Sequence, residues 1–338
     1  MPDSYNIAVA GATGAVGGVM LKLLEERRFP AASVRPLASA YSAGLTVPFA
    51  GEEIEVRELT AGSFEGIDIA LFSAGGGRSK EFAPAAVAAG AVVIDNSSAF
   101  RMEPNAPLVV PEVNPEDVKW HEGIIANPNC STIQMVVALK PIYDAVGIDR
   151  IIVTTFQSVS GTGKLAMEEL FKQSQAVLES REAACNIYPH QIAFNVLPHI
   201  EQFHDSGYTN EEVKMINETR KIFGDPELRV TATCARVPVF TGHSESLNIK
   251  TTRPVSVDEV RRLMLDAPGV ELVDDPDNLQ YPMPVDAAGR DEVLVGRIRE
   301  DDSEENSLNL WIASDNLRKG AATNAVQIAE LLVDTGIL

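Results

Sequence analysis

Short apolar runs separated by helical patterns make up the first part of the chain. Residues 5–10 (YNIAVA) are almost entirely apolar and predict a short buried strand, whereas residues 19–29 (VMLKLLEERRF) repeat apolar positions at helical spacing. Another helical pattern follows at 80–90. Further apolar runs of strand length lie at 34–39, 67–74, 91–97, 107–110 and 123–127. Strands that alternate with helices in this way predict a mostly parallel sheet.

The pattern changes at Cys130. Apolar residues at helical spacing predict a helix from there to about residue 145, and residues 150–161 (RIIVTTFQSVSG) predict a long strand that ends in small polar residues. Further helices are expected at 164–180, 210–223 and 316–335, and further strands at 229–239, 243–251, 291–300 and 307–314. Strands in runs predict an α+β domain, and we expect the last helix to pack back on the first domain.

Length and composition fit two domains. The chain has 338 residues, and domains usually hold ~100–200. We therefore predict an α/β fold with a dinucleotide-binding domain over 1–130 plus the C-terminal helix 316–338, and a catalytic domain over 131–315. A domain boundary near residue 130 puts Cys130 where clefts usually form.

The charge balance excludes some partners. Asp and Glu number 48 against 28 Lys and Arg, which gives a net charge of −20. This charge argues against non-specific binding to nucleic acid and against anionic membrane surfaces. Local clusters of Arg and Lys could still bind a small anionic substrate.

Cysteine usage and the termini indicate the compartment. Cys130, Cys185 and Cys234 are too few and too scattered for a disulfide framework, and their spacing fits no zinc site. We therefore expect no metal and a reducing, cytoplasmic setting. The start of the chain, MPDSYNIAVAG, leads almost directly into a strand and lacks the pattern of a signal peptide. No apolar run approaches the ~18 residues of a transmembrane helix.

Gly11, Gly14 and Gly17 form a GxxGxxG pattern between a predicted strand and a predicted helix. Such glycines permit a tight turn, a close approach of the backbone to a pyrophosphate, and a helix N-terminus that faces the anion. The pattern favours dinucleotide binding. A glycine turn that only permits close helix packing is the other interpretation.

The end of the second predicted strand bears on which dinucleotide binds. An NAD site usually carries Asp or Glu ~20 residues beyond the glycines, where it bonds the ribose 2′-hydroxyl. Here the strand ends in PLASAYSAG, which has no carboxylate. Ser39, Tyr41 and Ser42 offer hydroxyls that could receive a 2′-phosphate, which favours NADP. An ordinary polar turn is the alternative.

Cys130 lies where a predicted strand gives way to a helix. A helix N-terminus carries roughly half a positive charge and favours a thiolate. Asn127 and Asn129 could supply amide donors to a developing oxyanion. A nucleophile also needs a base, and among the five histidines His243 stands at a glycine-marked turn that enters a strand, in FTGHSESL. Taken alone, each of these residues is more often structural.

Other polar residues occur at predicted strand ends. Gln157 ends a strand and is followed by the Ser-Gly-Thr-Gly loop that contains Ser160 and Gly161, which could face a nicotinamide, a substrate or neither. Arg101 follows a strand and Arg236 lies on an otherwise apolar one, as suits recognition of a carboxylate or phosphate, or an internal salt bridge.

One further pair of charged residues lies on a predicted helix. Glu211 and Lys214 stand three residues apart, so their side chains share a helix face. Such a pair is usually a solvated ion pair.

Six segments together resemble the aspartate-β-semialdehyde dehydrogenases. In order along the chain they are GATGAVG, DNSSAFRM, ANPNCSTIQ, FQSVSGTGK, RVPVFTGHSESL and DNLRKGAATNAVQIAE. The resemblance covers essentially the full length. It implies a Rossmann-type domain joined to an α+β catalytic and dimerisation domain, as in glyceraldehyde-3-phosphate dehydrogenase, and a homodimer or homotetramer.

The resemblance also implies a role for each candidate residue. Cys130 would be the nucleophile that carries an acyl-thioester, His243 the acid/base, and Gln157 the residue that orients the substrate. The substrate-binding residues would be Arg236 and Glu211 for the amino acid, Arg101 and Lys214 for phosphate, and Asn129. The cofactor-binding residues would be Gly11, Thr13, Gly14, Ala15, Val16, Ser39, Tyr41, Ser42, Ser160, Gly161 and Asn316.

Tyr41 departs from the family pattern. Many members read Ser-Ala-Arg-Ser-Ala-Gly where this chain reads Ser-Ala-Tyr-Ser-Ala-Gly, and that arginine would pair with the 2′-phosphate. The expected cofactor is therefore NADP, with NAD not excluded.

The implied reaction is a reductive dephosphorylation of aspartyl phosphate to aspartate semialdehyde, with His243 protonating the departing sulfur. It belongs to the biosynthesis of lysine, threonine, methionine and isoleucine. The alternatives are an N-acetyl-γ-glutamyl-phosphate reductase, whose cysteine motif is closer to Asn-Pro-Gly-Cys-Tyr than to the NPNCST found here, and a dinucleotide-binding redox sensor without turnover.

Overall fold

The computed structural model describes residues 4–338. Residues 1–3, which belong to the segment for which no signal peptide is expected, lie outside the described residues. The strands are β1 (Tyr5–Ala10), β2 (Ala31–Ala38), β3 (Thr46–Phe49), β4 (Glu52–Glu55), β5 (Arg57–Glu58), β6 (Ile69–Phe72), β7 (Val92–Asp95), β8 (Ile124–Ala126), β9 (Ile148–Gln157), β10 (Arg229–Arg236), β11 (His243–Thr251), β12 (Val270–Leu272), β13 (Val293–Glu300) and β14 (Ser307–Ser314). The α-helices are α1 (Ala15–Glu26), α2 (Gly76–Ala88), α3 (Cys130–Val146), α4 (Lys164–Leu178), α5 (Asn210–Phe223), α6 (Val257–Leu265), α7 (Pro284–Ala287) and α8 (Thr323–Thr335).

The chain divides into two compact units. The first runs to Asn129 and also contains Ala321–Leu338, and the second is Cys130–Gly320. In the described residues, no helix is both long and apolar enough to span a membrane. Residues 4–338 likewise contain no group of three or more His, Cys, Asp or Glu that could hold a metal ion.

The first unit is built on a six-stranded parallel sheet. Its strand order is β5-β2-β1-β6-β7-β8, and every neighbouring pair is parallel. The order of strands reverses between β1 and β6, and in open α/β sheets ligands bind outside the carboxyl ends of the strands at such a point. The expected Rossmann-type sheet is confirmed.

Both faces of β1 are covered, which explains its nearly continuous apolar sequence. Successive side chains of a strand point to opposite faces. Ile7 and Val9 lie in one buried cluster with residues of α1 and α8, whereas Ala8 and Ala10 lie in a second cluster with Phe72. The Arg27 guanidinium of the α1 end also forms a bidentate ion pair with Glu330 of α8, with distances of 2.8 and 2.6 Å.

The strand predicted at 107–110 is wrong. Only Leu108 forms an isolated bridge there, to Ala126. The Asn114 side chain takes the place of a ladder, since its Oδ1 accepts from the Val110 N–H at 2.9 Å and its Nδ2 donates to the Leu108 carbonyl at 2.8 Å. The hairpin of β3 and β4, the short edge strands β5 and β12, and helices α6 and α7 were not predicted.

The second unit is built on a mixed sheet of order β10-β9-β11-β14-β13-β12. Strand β9 pairs in parallel with β10 and antiparallel with β11, so the carboxyl ends of β9 and β10 and the start of β11 meet at one edge. Helix α3 contacts β9, β11, β13 and β14 of this sheet. That edge is where Gln157, Arg236 and His243 stand.

Candidate active site

His243 is the best-defined of the predicted catalytic residues. It is the first residue of β11, and its side chain is fully buried. The Ser158 N–H donates to its ring atom Nδ1 at 3.0 Å, and the Ser158 hydroxyl oxygen lies 3.0 Å from the same atom. Because Nδ1 accepts a hydrogen bond, the neutral ring carries its proton on Nε2. Nε2 is buried and has no hydrogen-bond partner among residues 4–338.

The surroundings keep the His243 ring neutral. Burial lowers its pKa well below the usual 6.5, the nearby Arg236 guanidinium lowers it further, and a hydrogen bond with the Gly242 backbone acts in the opposite direction. A neutral imidazole can polarise a reacting group by donating a hydrogen bond from Nε2.

Asn316 holds the loops around this histidine. Its side-chain Oδ1 accepts from the Ser158 hydroxyl, the Ser160 hydroxyl and the Gly242 N–H, each at 3.0 Å. The Asn316 side chain is buried in this network. Ser158 was not among the predicted site residues. The signal available for it was its position between Gln157 and Ser160 at a strand end.

Arg236 is a buried cation at the same edge. Its side chain donates from one terminal nitrogen to the Ser158 carbonyl at 2.7 Å, and its Nε has no partner among the described residues. It forms no ion pair with any residue of the described chain, so the internal salt bridge considered for it is absent there. An added Cβ at Gly161 would lie 2.9 Å from an Arg236 nitrogen and 3.3 Å from His243 Nε2. Arg236 and His243 therefore border the same loop residue.

Gln157, Glu211 and Lys214 form a chain of contacts. The Gln157 amide donates to Glu211 Oε1 at 2.9 Å, and Glu211 Oε2 lies 3.4 Å from the Lys214 ammonium. Lys214 also pairs with Glu201. The Glu211 side chain is only 4% exposed, so the solvated ion pair expected for Glu211 and Lys214 is wrong for the glutamate.

Cys130 is the first residue of α3 and is half-buried. An added Cβ at Gly320 would lie 3.0 Å from the Cys130 Cβ, so a larger residue there would crowd the thiol. The positive end of the helix favours an anion at this position. Cys234 differs, because burial and then the Glu211 charge raise the pKa of its thiol far above the usual value.

Arg101, Asn127 and Asn129 belong to the first unit. Arg101 is buried and donates to the carbonyls of Asn127 at 3.0 Å and Asn96 at 2.7 Å. The Asn127 amide nitrogen donates to Asn96 Oδ1 at 2.6 Å and to the Ala321 carbonyl at 3.3 Å. Both Asn127 amide hydrogens are thus engaged, and the idea that it donates to an oxyanion is wrong. The role of Asn129, which is buried, stays a prediction.

The glycine turn after β1 has the shape that a dinucleotide phosphate requires. Gly11 has a φ of +89°, and a Cβ there would lie 2.3 Å from the Ser73 carbonyl oxygen. A Cβ at Gly17 would lie 2.2 Å from the Gly11 carbonyl oxygen. Gly14 caps α1 without a side chain, and Thr13 beside it is exposed. The residues present therefore fit a bound pyrophosphate, with the open first turn of α1 facing it.

The loop after β2 carries the predicted 2′-phosphate residues. The Ser42 N–H closes a turn by donating to the Ser39 carbonyl at 2.8 Å, and Tyr41 is 96% exposed. On the neighbouring strand Arg57 pairs with Leu37, two residues before Ser39. Arg57 also lines a polar cavity of about 460 Å³, which sequence reasoning missed because β5 has only two residues.

Two family models match the chain in succession. The semialdehyde dehydrogenase NAD binding domain matches residues 6–121, and the semialdehyde dehydrogenase dimerisation domain matches residues 139–319. These matches cover most of the chain and fit the parallel sheet with its glycine turn and the mixed sheet of the second unit. The fold and the matches together define the class of semialdehyde dehydrogenases.

Individual proteins narrow this class. The aspartate-semialdehyde dehydrogenases of Aquifex aeolicus and Bacillus subtilis are 57% and 55% identical to the chain, with 99% and 98% of both partners covered. The crystal structure of aspartate semialdehyde dehydrogenase II from Vibrio cholerae superposes with a TM-score of 0.96 at 52% identity, over 98% of this chain and 99% of that one. The chain belongs to the aspartate-semialdehyde dehydrogenase family.

These comparisons bear on the predictions from sequence. The resemblance, the fold class and the enzyme class are confirmed. The crystal structure of aspartate semialdehyde dehydrogenase with NADP from Candida albicans has a TM-score of 0.77 at 28% identity, over 99% of this chain and 100% of that one. A nicotinamide dinucleotide cofactor is therefore supported. The roles of individual residues stay predictions.

Proposed function

We propose that the chain catalyses the reversible, NADPH-dependent reductive dephosphorylation of L-aspartyl-4-phosphate to L-aspartate 4-semialdehyde. The carrying observation is the buried Arg236 guanidinium, which has no ionic partner in the described chain and borders Gly161 together with His243 Nε2. A buried cation is costly unless an anion pairs with it. The α-carboxylate of the substrate supplies that anion.

Cys130 begins the reaction by attacking the acyl phosphate. The thiolate displaces phosphate, and the acyl group is held as a thioester on the sulfur. Arg101 and Lys214 bind the phosphate. When bound, the nicotinamide cofactor supplies the hydride that reduces this acyl group. His243 donates a hydrogen bond from Nε2 to the departing sulfur, which leaves as the thiolate that the start of α3 favours.

Gln157 and Glu211 orient the amino acid. The Glu211 carboxylate binds the substrate ammonium, and the Gln157 amide, which contacts Glu211 at 2.9 Å, aligns the thioester carbonyl. Asn129 adds an amide donor. The charges needed for a substrate that is anionic at both ends thus come from separate residues of a chain whose net charge is −20.

The cofactor is proposed to be NADP. Gly11, Thr13, Gly14, Ala15 and Val16 would hold its phosphates, because Gly14 caps α1 without a side chain and leaves the first turn of the helix open to an anion. The other contacts are proposed from Ser39, Tyr41, Ser42, Ser160, Gly161 and Asn316. Tyr41 cannot pair with the 2′-phosphate as an arginine would, and Arg57, which lies on β5 beside the end of β2, offers a guanidinium instead.

We assign cofactor binding to residues 1–130 with 316–338, and catalysis and dimerisation to 131–315. The assembly is proposed to be a homodimer or homotetramer in the cytoplasm. There it serves the biosynthesis of lysine, threonine, methionine, isoleucine and diaminopimelate.

A substrate comparison tests this function. Protein, phosphate and NADP are mixed with aspartate semialdehyde or with N-acetylglutamate semialdehyde, and absorbance is followed at 340 nm. We expect phosphate-dependent reduction of NADP with the first substrate and a slower rate with NAD. Preference for the second substrate would indicate the N-acetyl-γ-glutamyl-phosphate reaction instead, and no turnover with either would contradict an enzymatic role.

A further inference from the structure

Glu245 is a buried carboxyl group that the proposed mechanism does not use. It is the third residue of β11, and its exposed fraction is 0%. Its Oε1 accepts from the Gln134 amide nitrogen at 2.6 Å. Its Oε2 is buried and has no hydrogen-bond partner among residues 4–338. A carboxylate with one oxygen left unpaired in the core is strongly disfavoured, whereas a neutral carboxylic acid is tolerated.

The position of this pair ties it to the two central catalytic residues. Gln134 follows Cys130 by four residues on α3, so the two side chains share one face of the helix. Glu245 follows His243 by two residues on β11, so these side chains share one face of the sheet. One hydrogen bond therefore joins the start of the helix that carries the cysteine to the start of the strand that carries the histidine.

Other ionisable groups surround Glu245. Burial raises its pKa well above the usual 4.5 and the Glu211 charge raises it further, while the Gln134 hydrogen bond acts in the opposite direction. Cys234 on β10 also senses Glu245, and its thiol stays protonated. Of the two carboxyls, Glu211 has the cation Lys214 beside it. Glu245 has no ion pair among the described residues, so we assign the proton to Glu245.

We propose that Gln134 and Glu245 are positioning residues, with Glu245 a neutral acid whose bond to Gln134 fixes the start of α3 against the start of β11. The role in catalysis rests on the proposed function, since it presumes that Cys130 and His243 act together. The neutral state of Glu245 also leaves Glu211 as the charged carboxylate for the substrate ammonium.

Variants of Glu245 and Gln134 distinguish the effect of the hydrogen bond from the effect of a charge at Glu245. Glu245→Gln keeps a neutral side chain whose amide oxygen can accept from Gln134. Glu245→Leu removes the acceptor at similar volume, and the exchanged pair Gln134→Glu with Glu245→Gln restores one acid and one amide. Gln134→Met is the second single variant, should Glu245→Leu fail to fold. All are made in the full chain with Cys185→Ser, which removes the exposed thiol.

Two readouts are measured beside the melting temperature. The first is kcat and KM with aspartate semialdehyde. The second is the rate at which iodoacetamide alkylates Cys130 as a function of pH, without substrate or cofactor, read from the mass of its peptide. The alkylation arm does not depend on turnover, so a failure of the proposed function and a failure of the positioning proposal are distinguishable.

We expect Glu245→Gln and the exchanged pair to keep kcat and the alkylation profile within about twofold of the parent. Glu245→Leu or Gln134→Met should lower kcat by about tenfold with little change in KM, because a small misplacement of reacting groups slows the chemistry, and should alter the alkylation profile. A tenfold loss in Glu245→Gln would overturn the neutral acid. Loss of melting temperature alone in both single variants would overturn the positioning role.

Discussion

Arg236 and His243 show how burial selects the chemistry of single residues. Arg236 is 5% exposed, and its side chain donates a hydrogen bond to the Ser158 carbonyl, so its charge is compensated by no side chain of the described residues. His243 is fully buried and neutral. One residue thus offers a permanent charge and the other a hydrogen-bond donor, which matches a site that binds a carboxylate and polarises a sulfur or an oxygen.

The two arginines should separate the two ends of the substrate. Arg236→Lys replaces a planar fork by a point charge, so we expect KM for aspartate semialdehyde to rise about tenfold and KM for phosphate to change little. Arg101→Lys should raise KM for phosphate and change KM for aspartate semialdehyde little. Steady-state kinetics with each substrate varied in turn measures both. If both variants raised the two KM values equally, Arg236 could not be assigned to the carboxylate and Arg101 to the phosphate.

The lowered pKa of His243 has a consequence for stability. The unfolded state takes up a proton near pH 6.5, whereas the folded state does so only at lower pH, so the unfolded state binds more protons in between. The free energy of unfolding should therefore rise with pH across that window. We expect His243→Gln to flatten this rise in urea unfolding measured at several pH values. The exposed His190→Gln is the control, and parallel curves for parent and His243→Gln would contradict the account.

At the scale of elements, the loop after β9 is shaped by Gly161. Its Cβ position lies 2.9 Å from an Arg236 nitrogen and 3.3 Å from the His243 ring. A side chain at residue 161 would therefore press against both Arg236 and His243.

Adding one methyl group tests that arrangement. We expect Gly161→Ala to lower kcat/KM by about tenfold or more, because Arg236 must move, while the melting temperature changes little. Gly62→Ala is the matched control, since nothing lies within 4 Å of its Cβ position. Activity of Gly161→Ala at the parental level would show that the loop does not need the glycine.

The elements that sequence predicted best carry their own boundary signals. Helix α5 matches residues 210–223 because Thr209 and Glu212 form a capping box and Gly224 ends it in a left-handed conformation. Strand β11 matches 243–251 because its burial alternates. The segment 107–110 is equally apolar, but the Val110 N–H and the Leu108 carbonyl bond to the Asn114 side chain instead of to a neighbouring strand, and the apolar pattern alone does not reveal this.

Some residues of the candidate site could be predicted from the sequence and others could not. Cys130, His243 and Arg236 occupy element ends that sequence motifs mark. Ser158 and Glu245 act through contacts with residues far away in sequence, which only the folded sheet brings together. The engagement of Asn127 with Ala321 is of the same kind.

At the scale of the whole molecule, the second unit exposes several large apolar side chains on one helix. Leu165, Phe171 and Leu178 on α4 are 64%, 62% and 76% exposed, and Phe171 lines a cavity of about 360 Å³ with Met167 and other residues. Exposed apolar surface of this kind marks interaction sites. The family model matched here is the dimerisation domain, which supports a second copy of the chain as the partner.

A charge on this surface should disrupt the assembly. We expect Phe171→Glu to shift the molecular mass in solution, measured by light scattering after gel filtration, from a dimer or tetramer to a smaller species. Leu45→Glu places the same charge at an exposed apolar residue of the first unit and should leave the mass unchanged. An unchanged mass for Phe171→Glu would exclude α4 from the interface.

The central claim is that Cys130 carries the acyl group. The protein is incubated with aspartate semialdehyde and NADP without phosphate, quenched in acid, digested, and analysed by mass spectrometry. We predict that the peptide containing Cys130 gains the mass of one aspartyl group, that phosphate or hydroxylamine removes it, and that Cys130→Ala gives none. The account would be contradicted if NADP were reduced upon addition of phosphate while the Cys130 peptide stayed unmodified and the Cys130→Ala variant stayed active.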